Sequence, residues 1–408
     1  MKAVTVNFSL GKEMWDGFKS KLLGKGSRFN GLSLSLEEVP EPKLVSSEWL
    51  KIRTILSGIS DMDEGMIVHQ DPSRFGAFLS FPFVPGNENL GIVTEVGENV
   101  RGIEPGERVV VDPLLSCERR GVEPLCPSCL RGVPSSCRSF DSGVLGPGVM
   151  IGACRDTAGG WGDSFIAHQS QVRVVPHSME SEQAIFIPEF TRALRAVLRC
   201  PPSPGDRVLI VGAGSLGLLT LEALRLVGSE AQISIVAEHS FEAELAEKIG
   251  APEIIWGHGP GTVYEEVAAL LGATVRYPEV GRITLRGGAD LVYETTGRTA
   301  LIEDAIGFTG EGKRVVLLGI NQPAGFDVSG LWFKDIQLVG TSFSGRETYN
   351  GEIGSTFDIA MDLVTQHGLP HREMLTHRFG LKDHPSAVSV LADRANRKTI
   401  KAVFHHVV

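Results

Sequence analysis

Residues 206–228 read DRVLIVGAGSLGLLTLEALRLVG, and the fold follows from this stretch. Val208–Val211 is a short apolar run, Gly212-Ala213-Gly214-Ser215-Leu216-Gly217 is a glycine turn, and the rest carries apolar residues at helical spacing. ISIVAE and FEAELAEKIGA then repeat strand and helix. ADLVYETTG, ALIEDAIGFTG, KRVVLLG and IQLVGTSF continue the alternation. Strands alternating with helices predict βαβ units on a doubly wound parallel sheet, hence an α/β fold.

The turn has the chemistry of a dinucleotide site. The first glycine permits a tight turn, the second lets backbone approach a pyrophosphate, and the third lets helix pack on strand. The helix start adds partial positive charge for the phosphates. Gly212, Gly214, Ser215, Leu216 and Gly217 are therefore expected to hold the cofactor. Thr296 in ADLVYETTG and Gly319 in KRVVLLG are assigned to the same cleft. At the end of the second strand Glu238 falls 21 residues after Gly217, and no Lys or Arg follows until Lys248. A carboxylate there accepts ribose hydroxyls and repels a 2′-phosphate, so NAD(H) is expected over NADP(H). The alternative is that Ala237 holds this place and Glu238 points to solvent.

The flanks differ. Residues 1 to about 185 hold SLSLEEVPEPKL, WLKIRTILSG, LGIVTEVGENV and ERVVVDP, short apolar or alternating runs punctuated by Gly and Pro, which predicts a mostly β domain. TFDIAMDLVTQHG reads as helix and TIKAVFHHV as strand. Residues 11–30 carry five basic and two acidic side chains around Trp15, Phe18, Leu22 and Leu23, an amphipathic surface insertion or a lid. The chain has 408 residues, a net charge of −10 and 22% charged residues, which argues against a broad nucleic-acid footprint and a membrane protein. With no apolar leader at its start, a cytoplasmic location is expected.

Four of the six cysteines fall between residues 117 and 137. Cys126-x2-Cys129-x7-Cys137, preceded by Cys117, supplies four thiolates, enough to close a tetrahedral structural zinc site.

Together with LSLEEVPEP, FPFVPGNENLGIVTEVG, CPSCLRGVPSSC and the tail HRFGLKDHPSAVSVLADRANRKTIKAVF, these segments resemble the zinc-binding alcohol dehydrogenases of the medium-chain dehydrogenase/reductase superfamily, in their threonine/sorbitol dehydrogenase-type branch. The resemblance implies a GroES-like β domain over 1–185 and 350–408, with a zinc lobe at 117–137, and a Rossmann domain over 186–349. It assigns one structural zinc to Cys117, Cys126, Cys129 and Cys137, although the family usually parts its first two cysteines by two residues and this chain inserts ERRGVEPL.

The catalytic-zinc positions depart further. Where the family has Gly-Ile-Cys-Gly-Thr-Asp, this chain has Gly58-Ile59-Ser60-Asp61-Met62-Asp63. Pro-Gly-His-Glu becomes Pro85-Gly86-Asn87-Glu88, and the Glu of Glu-Pro-Leu becomes Pro188, with Glu189 one residue on. Thiolate, imidazole, carboxylate and the proton-relay threonine are all replaced, so no catalytic zinc is expected. The reading is an NAD(H)-dependent oxidoreductase without that metal. It would pass hydride to or from a carbonyl, alcohol or activated double bond held by Ser60, Asn87 and Glu88, with Asp61 and His69 as further acid/base candidates. A non-redox lyase, isomerase or cyclase with retained NAD, a non-enzymatic binding protein, and a zinc enzyme using Asp61 or His69 as ligands are the alternatives. The resemblance also implies a homodimer or homotetramer joined near IQLVGTSF and a small-molecule substrate.

Overall fold

The computed structural model describes residues 1–8, 32–67, 74–256, 260–320, 325 and 327–406. The insertion at 11–30 and His69 lie outside these described residues.

Two large sheets organise the chain. Six parallel strands run in the spatial order Ile254–Ile255, Gln232–Val236, Arg207–Val211, Ala289–Glu294, Thr309–Leu317 and Gln337–Gly340. In chain order that is 3-2-1-4-5-6, the doubly wound Rossmann arrangement. Its central strands are covered on both faces, and Val208 to Val211 are fully buried. That is why they read as continuous apolar runs and not as alternation. The switch point lies between Arg207–Val211 and Ala289–Glu294, where Thr295 Oγ1 donates to the Val211 carbonyl at 2.9 Å.

The second sheet has seven strands and is mostly antiparallel, built on Trp49–Gly58, Glu88–Val96, Arg108–Val111, Ser164–His168 and Val172–Val174. The C-terminal strand Lys401–His405 returns to pair with Trp49–Gly58, and Leu375–Phe379 lies outside it in parallel. This return matters for the site because it brings Lys401 beside residues more than 200 positions earlier.

Helix Ile187–Arg199 lies where the two sheets meet. Its residues from Ile187 to Val197 are all buried, including Glu189, Thr191, Arg192 and Arg195. Phe190, Leu194 and Val197 join Leu56, Leu90 and Val110 of the antiparallel sheet and Ile210 and Leu218 of the Rossmann unit in one core cluster. Glu189, Arg192 and Arg195 recur at three-residue spacing and form a stripe buried within the protein, a pattern that on a surface helix would face water.

Candidate functional site: a nucleotide cleft ending at a buried charge cluster

A cleft of about 210 Å³ opens at the switch point, lined by Gly212, Gly214, Ser215, Leu216, Gly217, Glu238, Thr295 and Thr296 from the Rossmann unit and by Ile59, Asp61 and Lys401 from the antiparallel one. The glycines differ in what they do. Gly212 has φ +102°, a conformation that side chains disfavour. A Cβ on Gly217 would run into the Gly212 carbonyl, so this residue serves helix-to-strand contact. A Cβ on Gly214 would meet nothing within 4 Å. The backbone is thus bare on the cleft side at the start of helix Ser215–Leu226, as an approaching pyrophosphate requires. The residues present fit a dinucleotide.

At one end of the cleft Glu238 pairs with Arg298, and His239 Nε2 lies 3.9 Å from the same carboxylate. Glu238 thus lines the cleft while staying partly open to solvent. Gly319 is not among the lining residues. A Cβ there would collide with the Gly297 and Thr296 backbone, so its glycine is needed to bring two strand ends together.

Ser60, Asn87 and Glu88 do come together. Ser60 Oγ donates to Asp63 Oδ2 at 2.8 Å, and Asn87 Nδ2 donates to Ser60 Oγ at 3.2 Å and to Met150 Sδ at 3.3 Å. The two expected carbonyl-polarising donors are thus largely engaged within the site. The amide–thioether contact is the weak one and the one a substrate oxygen can displace. A second cavity, of about 10 Å³, is lined by Met62, Asn87, Glu88, Pro188 and Arg192 among others and has room for about one water. The site offers an amide, a hydroxyl and a thioether, and the carboxylates that line the cavity, Glu88 and Asp112, are held by Lys401 and Arg119. With no thiolate, no imidazole and no uncommitted carboxylate among these residues, the set does not fit a tightly held zinc.

The nearby carboxylates are committed elsewhere. Glu88 Oε2 pairs with Lys401 Nζ, and Glu189 Oε2 accepts from Lys401 Nζ and from Ser215 Oγ, each at 2.7 Å. All four side chains are buried. Burial pushes the Glu88 carboxyl up to about 7 against the pull of Lys401, and Glu189 adds to the rise. Burial opposes the charge on Lys401, but Glu189 and Glu88 together hold its proton above the ordinary lysine range. Asp61 accepts both arms of Arg192 at 2.7 and 2.9 Å, and this pairing outweighs burial and keeps its pKa below the ordinary value. Asp61 is therefore a fixed anion, poorly suited to carry a proton. Asp63, fully buried, is pushed up to about 6 by that burial despite the Ser60 bonds.

Sequence reasoning misses Lys401 and Arg192. The available signals are a lysine inside the apolar strand TIKAVF and an arginine three residues after Glu189 on a helix otherwise fit for a core.

The cysteine lobe forms as a unit. The Sγ atoms of Cys117, Cys126, Cys129 and Cys137 all lie within 4.8 Å of one another. Backbone amides of Arg138 and Ser139 donate to Cys126 and Cys137 at 3.4 and 3.3 Å, which favours thiolates. Four soft donors in a closed cluster fit structural zinc. The inserted segment is ordered by its two arginines. Arg119 donates to Asp112 Oδ2 and to the Leu114 carbonyl, both at 2.7 Å, and Arg120, fully buried, donates to the carbonyls of Ser142, Leu145, Gly146 and Gly148. The extra residues lengthen the loop without parting the cysteines.

Comparison with known proteins agrees with this construction. Residues 46–177 match the alcohol dehydrogenase GroES-like domain and residues 215–357 the zinc-binding dehydrogenase domain. The L-threonine 3-dehydrogenase of Anaeromyxobacter dehalogenans is 26% identical over 93% of this chain and 98% of its own. The solved RspB alcohol dehydrogenase of Escherichia coli CFT073, complexed with NADH, superposes with a TM-score of 0.71 at 20% identity over 100% and 99% of the two chains. The 2R,3R-butanediol dehydrogenase of Bacillus subtilis gives 0.69 at 21% identity over 92% and 97%. Both structures share the fold. The chain belongs to the zinc-type alcohol dehydrogenase-like proteins of the medium-chain dehydrogenase/reductase superfamily, and is an oxidoreductase of that type.

Proposed function

We propose that this oxidoreductase uses NAD(H) to move a hydride to or from a carbonyl, alcohol or activated double bond, and that it does so without a catalytic zinc. The observation that carries the reading is the cleft itself. It runs from Glu238, past the bare backbone at Gly214, to Lys401 and Glu189; Glu88, which shares Lys401, lines the small cavity with Asn87. A bound nicotinamide would donate the hydride in the reducing direction and accept it in the oxidising one.

The chain's own residues do the rest. The helix start at Ser215 receives the pyrophosphate. Glu238 accepts from the ribose hydroxyls. Asn87 exchanges its contact with Met150 for the substrate oxygen. Glu88, whose carboxyl burial pushes up to about 7 and whose Oε2 is held by Lys401, is the group placed to exchange the proton. Hydroxyl, amide and proline stand at the family's metal-ligand positions, so polarisation rests on hydrogen bonding and on the Lys401 charge. Proteins that share the fold were solved with NADH and with NADP, so the choice of NAD(H) rests on Glu238.

Binding separates the roles of the two glycines. Gly214→Val is expected to fold with an unchanged melting temperature and to lose NADH affinity by about a hundred-fold or more, since its side chain would fill the phosphate approach. Gly217→Val is expected to lower the melting temperature itself. Calorimetry of NADH binding and thermal scans of both variants test this, and wild-type affinity in Gly214→Val would remove the cofactor assignment.

We also propose that two or four copies assemble through the open sheet edge Gln337–Gly340, beside Trp332 and Phe333, which are 83% and 78% exposed. The two domains would divide near residues 186 and 349. Trp332→Ser/Phe333→Ser is expected to shift the species seen by light scattering toward monomer. An unchanged mass would place the interface elsewhere.

A further inference from the structure

The nucleotide end of the cleft holds a pair that the proposed chemistry does not use. Arg298 stands at the N-cap of helix Thr299–Phe308, its backbone N–H donating to Thr296 Oγ1 at 3.1 Å. Its guanidinium reaches across the cleft to Glu238, which follows the strand Gln232–Val236. The two residues are 60 positions apart and belong to different βα units. The side chain of Arg298 is half exposed, so its contact with Glu238 is what holds it in place.

Among the described residues, the other charged groups at this end are engaged. The Glu242 carboxylate accepts from the backbone N–H of Glu238 and of His239, at 3.1 and 3.2 Å, and so is turned into its own loop. The His239 ring lies against Phe241, with ring centroids 5.6 Å apart and planes at 10°. Among the described residues, Arg298 is thus the cation that this end of the cleft can present to a ligand, and Glu238 keeps it occupied. A planar guanidinium with five N–H donors is suited to a phosphate, which it binds through paired hydrogen bonds.

We propose that Arg298 is a second nucleotide-selecting residue: held by Glu238 it leaves a 2′-phosphate unbound, and released from Glu238 it binds one. This rests on the reading of the cleft as a dinucleotide site. Selectivity for NADH then has two parts. Glu238 repels the dianionic 2′-phosphate directly, and it also withholds the guanidinium that would compensate. A change at Glu238 alone therefore does more than relax exclusion; it supplies a receptor.

The test is a double-mutant cycle on binding, which needs no substrate. Dissociation constants of NADH and NADPH are measured by fluorescence titration for the wild type, Glu238→Gln, Arg298→Leu and the double variant. The wild type is expected to bind NADH more tightly than NADPH by about ten-fold or more. Glu238→Gln is expected to tighten NADPH by about ten-fold, the scale of a charge-assisted pair of hydrogen bonds. The double variant is expected to lose that gain, and the gain in Glu238→Gln is expected to shrink as salt is raised. Glu238→Gln without tighter NADPH binding would overturn the proposal, and so would a gain that survives removal of Arg298. Failure of the wild type to bind either nucleotide would instead overturn the dinucleotide reading, and the proposal with it.

Discussion

Elemental analysis of the purified protein is expected to find about one zinc per chain, and Cys137→Ser to find almost none. The ion's seat is the cluster of Cys117, Cys126, Cys129 and Cys137, whose sulfurs stand within 4.8 Å of one another. Four thiolates that close can share a dication, but without it they crowd like charges or revert to buried thiols. The free energy of such binding is on the order of 10 kcal/mol, as large as the whole stability margin of many domains. The effect should spread beyond the lobe. Cys117 and Cys137 pack in one cluster with Phe140, Val149, Met150, Phe343 and Met62, and Met150 touches Asn87. Cys137→Ser is therefore expected to aggregate or to melt far below the wild type, as thermal scans with light scattering would show. A count of two ions per chain would mean that a metal does sit at Ser60 and Asn87, and the metal-free mechanism would fall.

Legibility of this fold and site varied with how local each signal was. The doubly wound sheet could be read from Arg207–Val211 and its successors because parallel strands buried on both faces become apolar runs. The glycine turn and the cysteine spacing are likewise confined to a few residues. The charge cluster was not readable. Lys401 meets Glu88 across 313 positions and Glu189 across 212, and no pattern in TIKAVF indicates either partner. Arg119 and Arg120 would be placed on the surface by residue type, yet both are buried because each finds carbonyls or a carboxylate of its own loop. The substitutions at Ser60 and Asn87 were visible as losses of metal ligands, but not that the two side chains would bond to each other. Sequence gives the identity of a polar group and seldom its partner, and the chemistry here depends on partners.

Lys401→Met should show how strongly the site depends on such a partner. The substitution keeps length and apolar bulk in the strand Lys401–His405 and removes the cation between two buried carboxylates. Breaking a buried pair from one side costs about 3–5 kcal/mol, because the remaining charge loses its compensation. At about 2–4 °C per kcal/mol for a domain of this size, the melting temperature at pH 8 should fall by roughly 10 °C. The loss should depend on pH with a definite sign. The Glu88 carboxyl is already pushed up to about 7 in the folded chain, above its unfolded value, so folding favours its protonated form. Its contribution is fully present below the unfolded pKa and is lost as pH rises through about 7. Without Lys401 the folded pKa of Glu88 rises further. The deficit of the variant should therefore be largest at pH 8 and shrink toward pH 5, where a proton on Glu88 removes one of the two charges that the ammonium compensated. Lys401→Arg keeps the charge and should lose much less. Lys401→Met/Glu88→Gln/Glu189→Gln removes all three charges and should recover most of the stability at pH 8, since neutral groups of similar volume replace a buried ion triad at little cost. Melting curves of these variants at pH 5, 6, 7 and 8 decide the matter. A deficit for Lys401→Met that stays flat across that range would mean that packing, and not the charge between Glu88 and Glu189, is what Lys401 contributes.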